Sequence, residues 1–466
     1  MTSKNETKIL ILSILITAGL VGTGFQWVTL NFGRSSNSFL LPYKGQTTSV
    51  SRQAQISLGD TILVKADANP DKQAGVRAFA QGDFDTASTK FLAALQVNRN
   101  DPEALIYLNN ARVENSSPFK IVVSVPIGGN LNIAKEILRG VAQAQDEVNR
   151  SGSIKLQVVI ANDENDPAIA QQLATEFVKD TSIVAVVGHN ASNASIAAAP
   201  VYQQGELVMI SPTSFAQNLS GIGSYVFRTV PSTGIMADNL SDYIIKTARK
   251  SNIAICVDSK AIDNVSFKDE FVKAFAAAGG KVTPLDCDLF ASDFNPNTVI
   301  SQAIANGADS LLLASYVDRI DRAIEVTRAN QGRLALFASP TLYTFKTLQS
   351  GQADVNGMVL SVPWHPAAIP GNPFPSNAVQ RWGGAVNWRS ATAYDATQAI
   401  ITALKQGNTS RDALQKALSS PGFSVNGATG TIQFRPSGDR NGTPMLLKVQ
   451  PGNQSGTGYD FVLLRP

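Results

Sequence analysis

The 466-residue chain carries a formal net charge of +3, with 44% hydrophobic and 16% charged residues. That is enough apolar matter for two or three domains with cores, and without a Lys/Arg cluster nucleic-acid binding has no support. Two cysteines, Cys256 and Cys287, and two histidines, His189 and His365, exclude a disulfide scaffold, a CxxC metal site and a histidine-rich metal centre.

Lys4 and Lys8 precede Ile9–Phe32, an uncharged run long enough, at about 1.5 Å per residue, to cross a bilayer core. Thr17-Ala18-Gly19 and Gly22-Thr23-Gly24 are poor cleavage sites, so residues 1–32 read as an uncleaved signal anchor, a membrane-spanning helix. Residues 33–70, rich in Ser, Asn, Gln, Thr and Gly, read as a tether, with Ile56–Val64 as a short strand or docking element. The pattern then turns helical. Gly75, Gly82-Asp83-Phe84, Ala87, Phe91, Ala94-Leu95 and Asp101-Pro102 resemble a tetratricopeptide helical hairpin over 71–115, with small residues for close approach and Phe84, Phe91 and Leu95 in the seam. Such a piece is either a spacer or a groove for a protein partner.

After Ser116-Ser117-Pro118, strands at 119–125, 156–160, 183–187 and 207–210 alternate with helices at 134–149, 167–179 and 194–202. This alternation predicts a parallel sheet with right-handed crossovers. Past a first crossover near Tyr225–Thr229, strands at 253–257, 281–285, 310–314 and 334–337 alternate with helices at 267–278 and 320–329. Residues 357–362 return the chain, 364–388 read as an irregular surface segment, and 391–404 as a helix of the first lobe. Residues 430–434 and 445–449 read as a terminal strand pair on the second lobe. The expected division is 119–231 with 363–428, and 232–362 with 429–466, joined by three crossovers. Cys256 and Cys287 fall near the ends of neighbouring strands, where one bond and two buried free thiols both fit.

The run 183–187 ends in Gly188-His189-Asn190-Ala191-Ser192-Asn193, and 207–210 in Ser211-Pro212-Thr213-Ser214. Two consecutive parallel strands thus end in hydroxyl-rich turns on the sheet edge where ligands bind in open α/β folds. Free N–H groups at the following helix start, with the Ser192 and Thr213 hydroxyls, suit a carboxylate or another electron-rich group. A serine in that place also serves simply as a helix cap.

The segment GHNASNASIAAAPVYQQGELVMISPTS, followed by LSGIGSYVFRTVPS, is joined by an opening IVVSVPIGGN, a later AYDATQAI and a closing TGTIQFRPSGDR. In this order the pieces resemble the branched-chain amino acid/amide class of periplasmic substrate-binding proteins, the solute receptors of ABC importers, over about 119–466. The resemblance implies an α/β fold of two lobes, type I, with parallel sheets flanked by helices. It implies a receptor on the periplasmic side of a bacterial envelope, which the run Ile9–Phe32 would anchor to the inner membrane, or which would be secreted if that helix is cleaved. Such a receptor captures a small polar ligand (an amino acid, amide or urea-like compound) and delivers it to an ABC permease. A membrane-tethered sensor of the same fold is the alternative.

Carried over by position, Ser192 with Asn190, Ala191 and Asn193 matches the loop receiving the ligand's carboxylate or polar end. Thr213 and Ser214 match the next strand-end loop, Tyr316 an aromatic wall, and Trp388 and Arg389 a position that lines the cleft. Two departures bear on the ligand. Thr341, after LALFASP, stands where amino acid binders place an acidic residue, and Gly128–Ile133 lacks the aromatic usual there. A buried ammonium without a carboxylate is costly. Either Asp163, Asp258 or Asp318 supplies the charge, or the ligand is an amide, urea-like compound or carboxylate held partly by Arg389; Arg389 also fits a surface place beside Trp388. No GxSxG, GxxxxGK[ST] or strand-following GxGxxG motif occurs, so no catalytic residue, metal or cofactor is assigned and enzymatic activity is not expected.

Overall fold

Runs of Val, Ile, Leu and Ala form the strands of two sheets. The structure, a computed structural model, describes residues 55–464. The expected anchor at 1–32 and most of the expected tether lie outside the described residues; among the described residues no helix is long and apolar enough to cross a membrane.

The first sheet contains β1 (Ile56–Ser57), β2 (Phe119–Val125), β3 (Leu156–Asn162), β4 (Ile183–Val187), β5 (Val208–Ser211) and β6 (Val226–Arg228), in the order β1-β3-β2-β4-β5-β6. All pair in parallel except β1, which runs antiparallel to β3. One face packs on the helices Leu131–Ser151 and Trp388–Lys405, the other on Pro167–Lys179 and Ser192–Gln204. Burial on both faces is why the strands read as unbroken apolar runs instead of alternating ones.

The second sheet begins with β7 (Asn252–Val257), β8 (Lys281–Val282), β9 (Ser310–Ala314), β10 (Ala335–Ala338) and β11 (Val359–Val362). A separate hairpin, β12 (Val425–Gly427) with β13 (Gly430–Ile432), follows before β14 (Met445–Pro451) and β15 (Tyr459–Leu463) complete the second sheet as β15-β14-β11-β10-β9-β7-β8. In both sheets the strand order reverses around the first strand of the βα series: β2 lies between β3 and β4, and β7 between β8 and β9. Loops at such a reversal diverge and leave a crevice. Cys256 of β7 and Cys287 form a disulfide, with Cα atoms 4.7 Å apart.

Several sequence expectations need correction. Residues 430–432 pair with 425–427, not with 445–449, so the third crossing falls between Arg440 and Met445 and the first lobe's share extends past 428. Two buried ion pairs hold that stretch on the first lobe. Arg228 donates to Asp439 at 2.6 Å, and Arg440 to Asp395 at 3.0 Å. Asp395 also accepts from the Ala428 amide at 2.5 Å. Gly438, at φ +78°, lies so close to the Val226 carbonyl that a Cβ would sit 2.0 Å from it. The segment 364–388 is not irregular throughout: it contains the helix Phe374–Trp382, and Trp364 and Trp382 are buried. Pro and Gly obscured these apolar anchors in the sequence.

The end of the expected tether is no tether either. Residues 56–57 add a strand to the first sheet, and Asn110 bonds the Leu58 and Val158 carbonyls, each at 2.7 Å. Three helices follow, Pro70–Ala80, Phe84–Val97 and Pro102–Val113. Gly75 lets the first two meet: a Cβ there would lie 2.7 Å from the Phe91 ring. The third helix is buried along almost its whole length, which makes the 71–115 segment part of the first lobe's core and not a free spacer. Its ionic centre is Lys72, fully buried, 2.6 Å from Asp101 and 2.7 Å from Glu103. Glu103 also accepts from the Leu63 amide at 2.7 Å and the Tyr107 hydroxyl at 2.9 Å. Burial pushes the Asp101 carboxyl up to about 6, against the pull of Lys72.

Removing the one cation would strand two carboxylates in the core. Lys72→Met is expected to cost about 3–5 kcal/mol in urea unfolding and to expose residues 55–113 to limited proteolysis before the rest of the chain.

Candidate functional site

The loop after β4 and the loop after β5 lie side by side and are tied together by their own hydroxyls. Thr213 Oγ1 donates to the Asn190 carbonyl at 2.9 Å, and Ser211 Oγ to the His189 carbonyl at 2.8 Å. Ser214 Oγ reaches the His189 and Asn190 carbonyls at 3.2 and 3.1 Å and lies 2.7 Å from Ser195 Oγ. The hydroxyls expected to meet a ligand at Thr213 and Ser214 thus hold the backbone of the neighbouring turn, a role that local sequence cannot separate from ligand contact. Asn190 donates to Asn165 at 3.1 Å, and Asn193 accepts from the Ala194 amide at 3.0 Å. Ala191 is the cap position of the helix that begins at Ser192, with no side-chain cap bond.

Ser192 is not a cap. Its hydroxyl donates to Asp263 of the second lobe, and its amide donates to the other oxygen of the same carboxylate at 3.2 Å. The Phe215 amide reaches Asp263 at 3.3 Å, and the Ala216 amide donates to Ser192 Oγ at 3.1 Å, which orients that hydroxyl toward the acid. Burial raises the Asp263 carboxyl, opposed by the bonds from Ser192, Phe215 and Ala216. Asp263 was absent from the sequence-derived candidates because the helix there was expected from 267; it begins at Ile262, with Asp263 in its first turn. The available signal was positional: a carboxylate just past the end of β7, on the strand next to the sheet's reversal.

The three acids proposed as alternative charges are all engaged elsewhere. Asp163 lies under the 188–193 turn, 2.6 Å from His189 Nδ1 and 3.0 Å from Ser124 Oγ. His189 Nε2 meets the Tyr202 hydroxyl at 3.1 Å, so both ring nitrogens are bound inside the first lobe. Asp258 pairs with Arg319 at 2.7 Å, and Asp318 accepts from Asn130 across the cleft at 2.8 Å. Thr341 and Ser339 both donate to Asn264 Oδ1 at 2.9 Å. Tyr316 is half-buried, its hydroxyl pushed up to about 12 by burial and then by the charges of Asp318 and Asp263.

Open space lies to one side of the Ser192–Asp263 contact. A cleft of about 560 Å³ is lined by Asn130, Glu136 and Arg389 of the first lobe and by Val317, Ile320 and Thr344 of the second, among others. Arg389 is 4% exposed, which excludes the surface reading. Its guanidinium lies 4.4 Å from the ring of the buried Trp388, and its Nε has no hydrogen-bond partner. The nearby Glu136 forms its ion pair with Arg139, at 2.5 Å. Burial pulls the Arg389 group down to about 10, against the attraction of Glu136 and Asp263, so it stays charged at neutral pH.

A family model for periplasmic binding proteins matches residues 118–451. The chain belongs to the periplasmic binding protein family. The Leu/Ile/Val-binding protein of Escherichia coli is 24% identical over 73% of this chain and 92% of its own length. The chain spans only 66%, 54% and 50% of the length of three other curated amino acid-binding relatives. Among solved structures, a leucine-binding protein of Thermotoga maritima superposes with a TM-score of 0.65 at 19% identity, covering 74% of this chain and 99% of that one. A solute-binding protein of Rhodopseudomonas palustris in complex with 3,4-dihydroxybenzoic acid gives 0.64 at 17%, covering 75% and 97%. At these identities the structural likeness concerns the fold alone.

The hydroxyl bonds make Ser214 a structural residue of the turn. Ser214→Ala is expected to lower the unfolding free energy by about 0.5–1.5 kcal/mol in chemical denaturation, since one hydrogen bond to the 189–190 carbonyls is lost while Ser211 and Thr213 still donate to them.

Proposed function

We propose that the protein is an extracytoplasmic solute receptor that closes two lobes on a small carboxylate-bearing solute and hands it to an ABC permease. The observation that carries this reading is the buried guanidinium of Arg389 on the wall of the interlobe cleft, its Nε unpartnered while the neighbouring glutamate is paired to another arginine. A buried guanidinium donor without a partner is costly, and a carboxylate seated on it would relieve that cost with a planar, forked pair of bonds.

A cleft of about 560 Å³ suits a solute of amino acid size. Relatives named for leucine, isoleucine and valine and a fold neighbour holding 3,4-dihydroxybenzoic acid bind molecules that share a carboxylate, though not an ammonium. Asp263 already accepts three donors, so the solute need not be an amino acid. Amides and urea-like compounds are the natural comparison set. The Cys256–Cys287 disulfide fits an oxidising compartment.

A thermal-shift panel of amino acids, other small carboxylates, amides and urea compounds is expected to find a carboxylate that raises Tm. Arg389→Gln should weaken that compound by about 10- to 100-fold in calorimetry, the range of about 1.5–3 kcal/mol for a bond to a charged group. No response to any carboxylate would overturn the receptor reading, and unchanged affinity would remove Arg389 from it. Deletion should abolish uptake of the same compound.

A further inference from the structure

The amide and hydroxyl protons of the Ser192 turn already hold a carboxylate, and it belongs to the protein itself. Both oxygens of Asp263 are used: one takes the Ser192 hydroxyl and the Phe215 amide, the other the Ser192 amide. Asp263 begins a second-lobe helix, and an acid in a helix's first turn stabilises that helix. That local role does not account for three donors arriving from the opposite lobe. The positive charges of Arg228 and Arg389 act on the same carboxylate. Among the described residues other contacts also cross between the lobes, including Asn130 to the Asp318 carboxylate at 2.8 Å, the Gln217 amide to Ser266 Oγ at 2.9 Å and the Thr233 amide to the Phe215 carbonyl at 2.8 Å. Of these Asn130–Asp318 has a charged acceptor too, but it is a single, exposed bond where Asp263 takes three. Charge-assisted bonds of the Asp263 kind are about twice as strong as neutral ones.

We propose that Asp263 is a resident carboxylate: it occupies the anion cradle at Ser192 and Phe215, latches the lobes together without a solute, and must be displaced before a free carboxylate can enter that cradle. The proposal rests on reading the two lobes as a hinged receptor. It makes Asp263 a specificity residue as well as a latch, because a solute whose only anchor is the Ser192 turn competes with a tethered rival, whereas one anchored at Arg389 does not.

The test uses the full chain without any transported solute, and acetate as the probe. Small-angle scattering of the extensively dialysed protein is expected to show a compact wild type and an expanded Asp263→Ala variant. Acetate, compared with chloride at equal ionic strength, should raise Tm in Asp263→Ala only, without restoring compactness, because free acetate fills the cradle but is not tethered to the second lobe. Its apparent affinity there should be about tenfold or more above that for wild type, the size of one charge-assisted bond. An Asp263→Ala protein as compact as wild type overturns the latch, and an expanded variant indifferent to acetate overturns the cradle. Should circular dichroism show Asp263→Ala unfolded, Ser192→Ala is read by scattering in the same way, with expansion expected and unchanged dimensions overturning the proposal. Because no solute is present, a compact variant leaves the receptor reading standing, and a failed solute screen leaves these results standing.

Discussion

A carboxylate carried by one lobe and received by amide and hydroxyl protons of the other governs where this molecule can be open. With Asp263 seated against Ser192 and Phe215, the strand-end turns after β4 and β5 face protein instead of space. The remaining volume is displaced toward Asn130, Glu136 and Arg389. The hydroxyls around it are already committed: Thr213, Ser211 and Ser214 hold carbonyls of the 188–193 turn in place. That turn is therefore a rigid platform for the one contact it makes across the cleft.

Hinge motion needs crossings that bend and lobes that do not. The third crossing is clamped at its first-lobe end by Arg228–Asp439 and Arg440–Asp395, the second of which joins the TGTIQFRPSGDR and AYDATQAI segments in space. Removing one partner of either pair would leave a buried charge alone, at a cost of about 3–5 kcal/mol. The N-terminal helices add to the same lobe. Lys72 between Asp101 and Glu103, and Glu103 on the amides of 63–64, hold residues 55–113 together, and β1 with Asn110 joins them to the first sheet. The first lobe is thus larger and stiffer than the family match alone describes, since that match starts at 118.

The electrostatics of the cleft then separate two charges by role. Asp263 takes its hydrogen bonds from neutral donors, while Arg389 has a stacked ring but an unpartnered Nε. Under the proposed function, a solute bearing one negative group would complement the second and not the first. His189, the residue with the most obvious chemical reactivity in the region, is held between Asp163 and Tyr202 below the turn and faces no cleft.

The strands, the alternation with helices, the break into two series and the edge that carries the loops could all be read from the chain, because each depends on apolar runs and turn residues within a few positions of one another. The terminal strand pairing, the docking of residues 55–113 and the helix inside 364–388 could not, since each depends on which distant apolar surface a short segment finds. The same division applies to the cleft. That 188–193 and 211–214 form a polar rim is a local property, whereas the partner of Ser192 lies 71 residues away in sequence on another lobe. Arg389 beside Trp388 reads equally well as surface or interior until packing buries it. Hydrogen-bond partners of this kind are chosen by closure of the two lobes, and closure is a property of the whole chain.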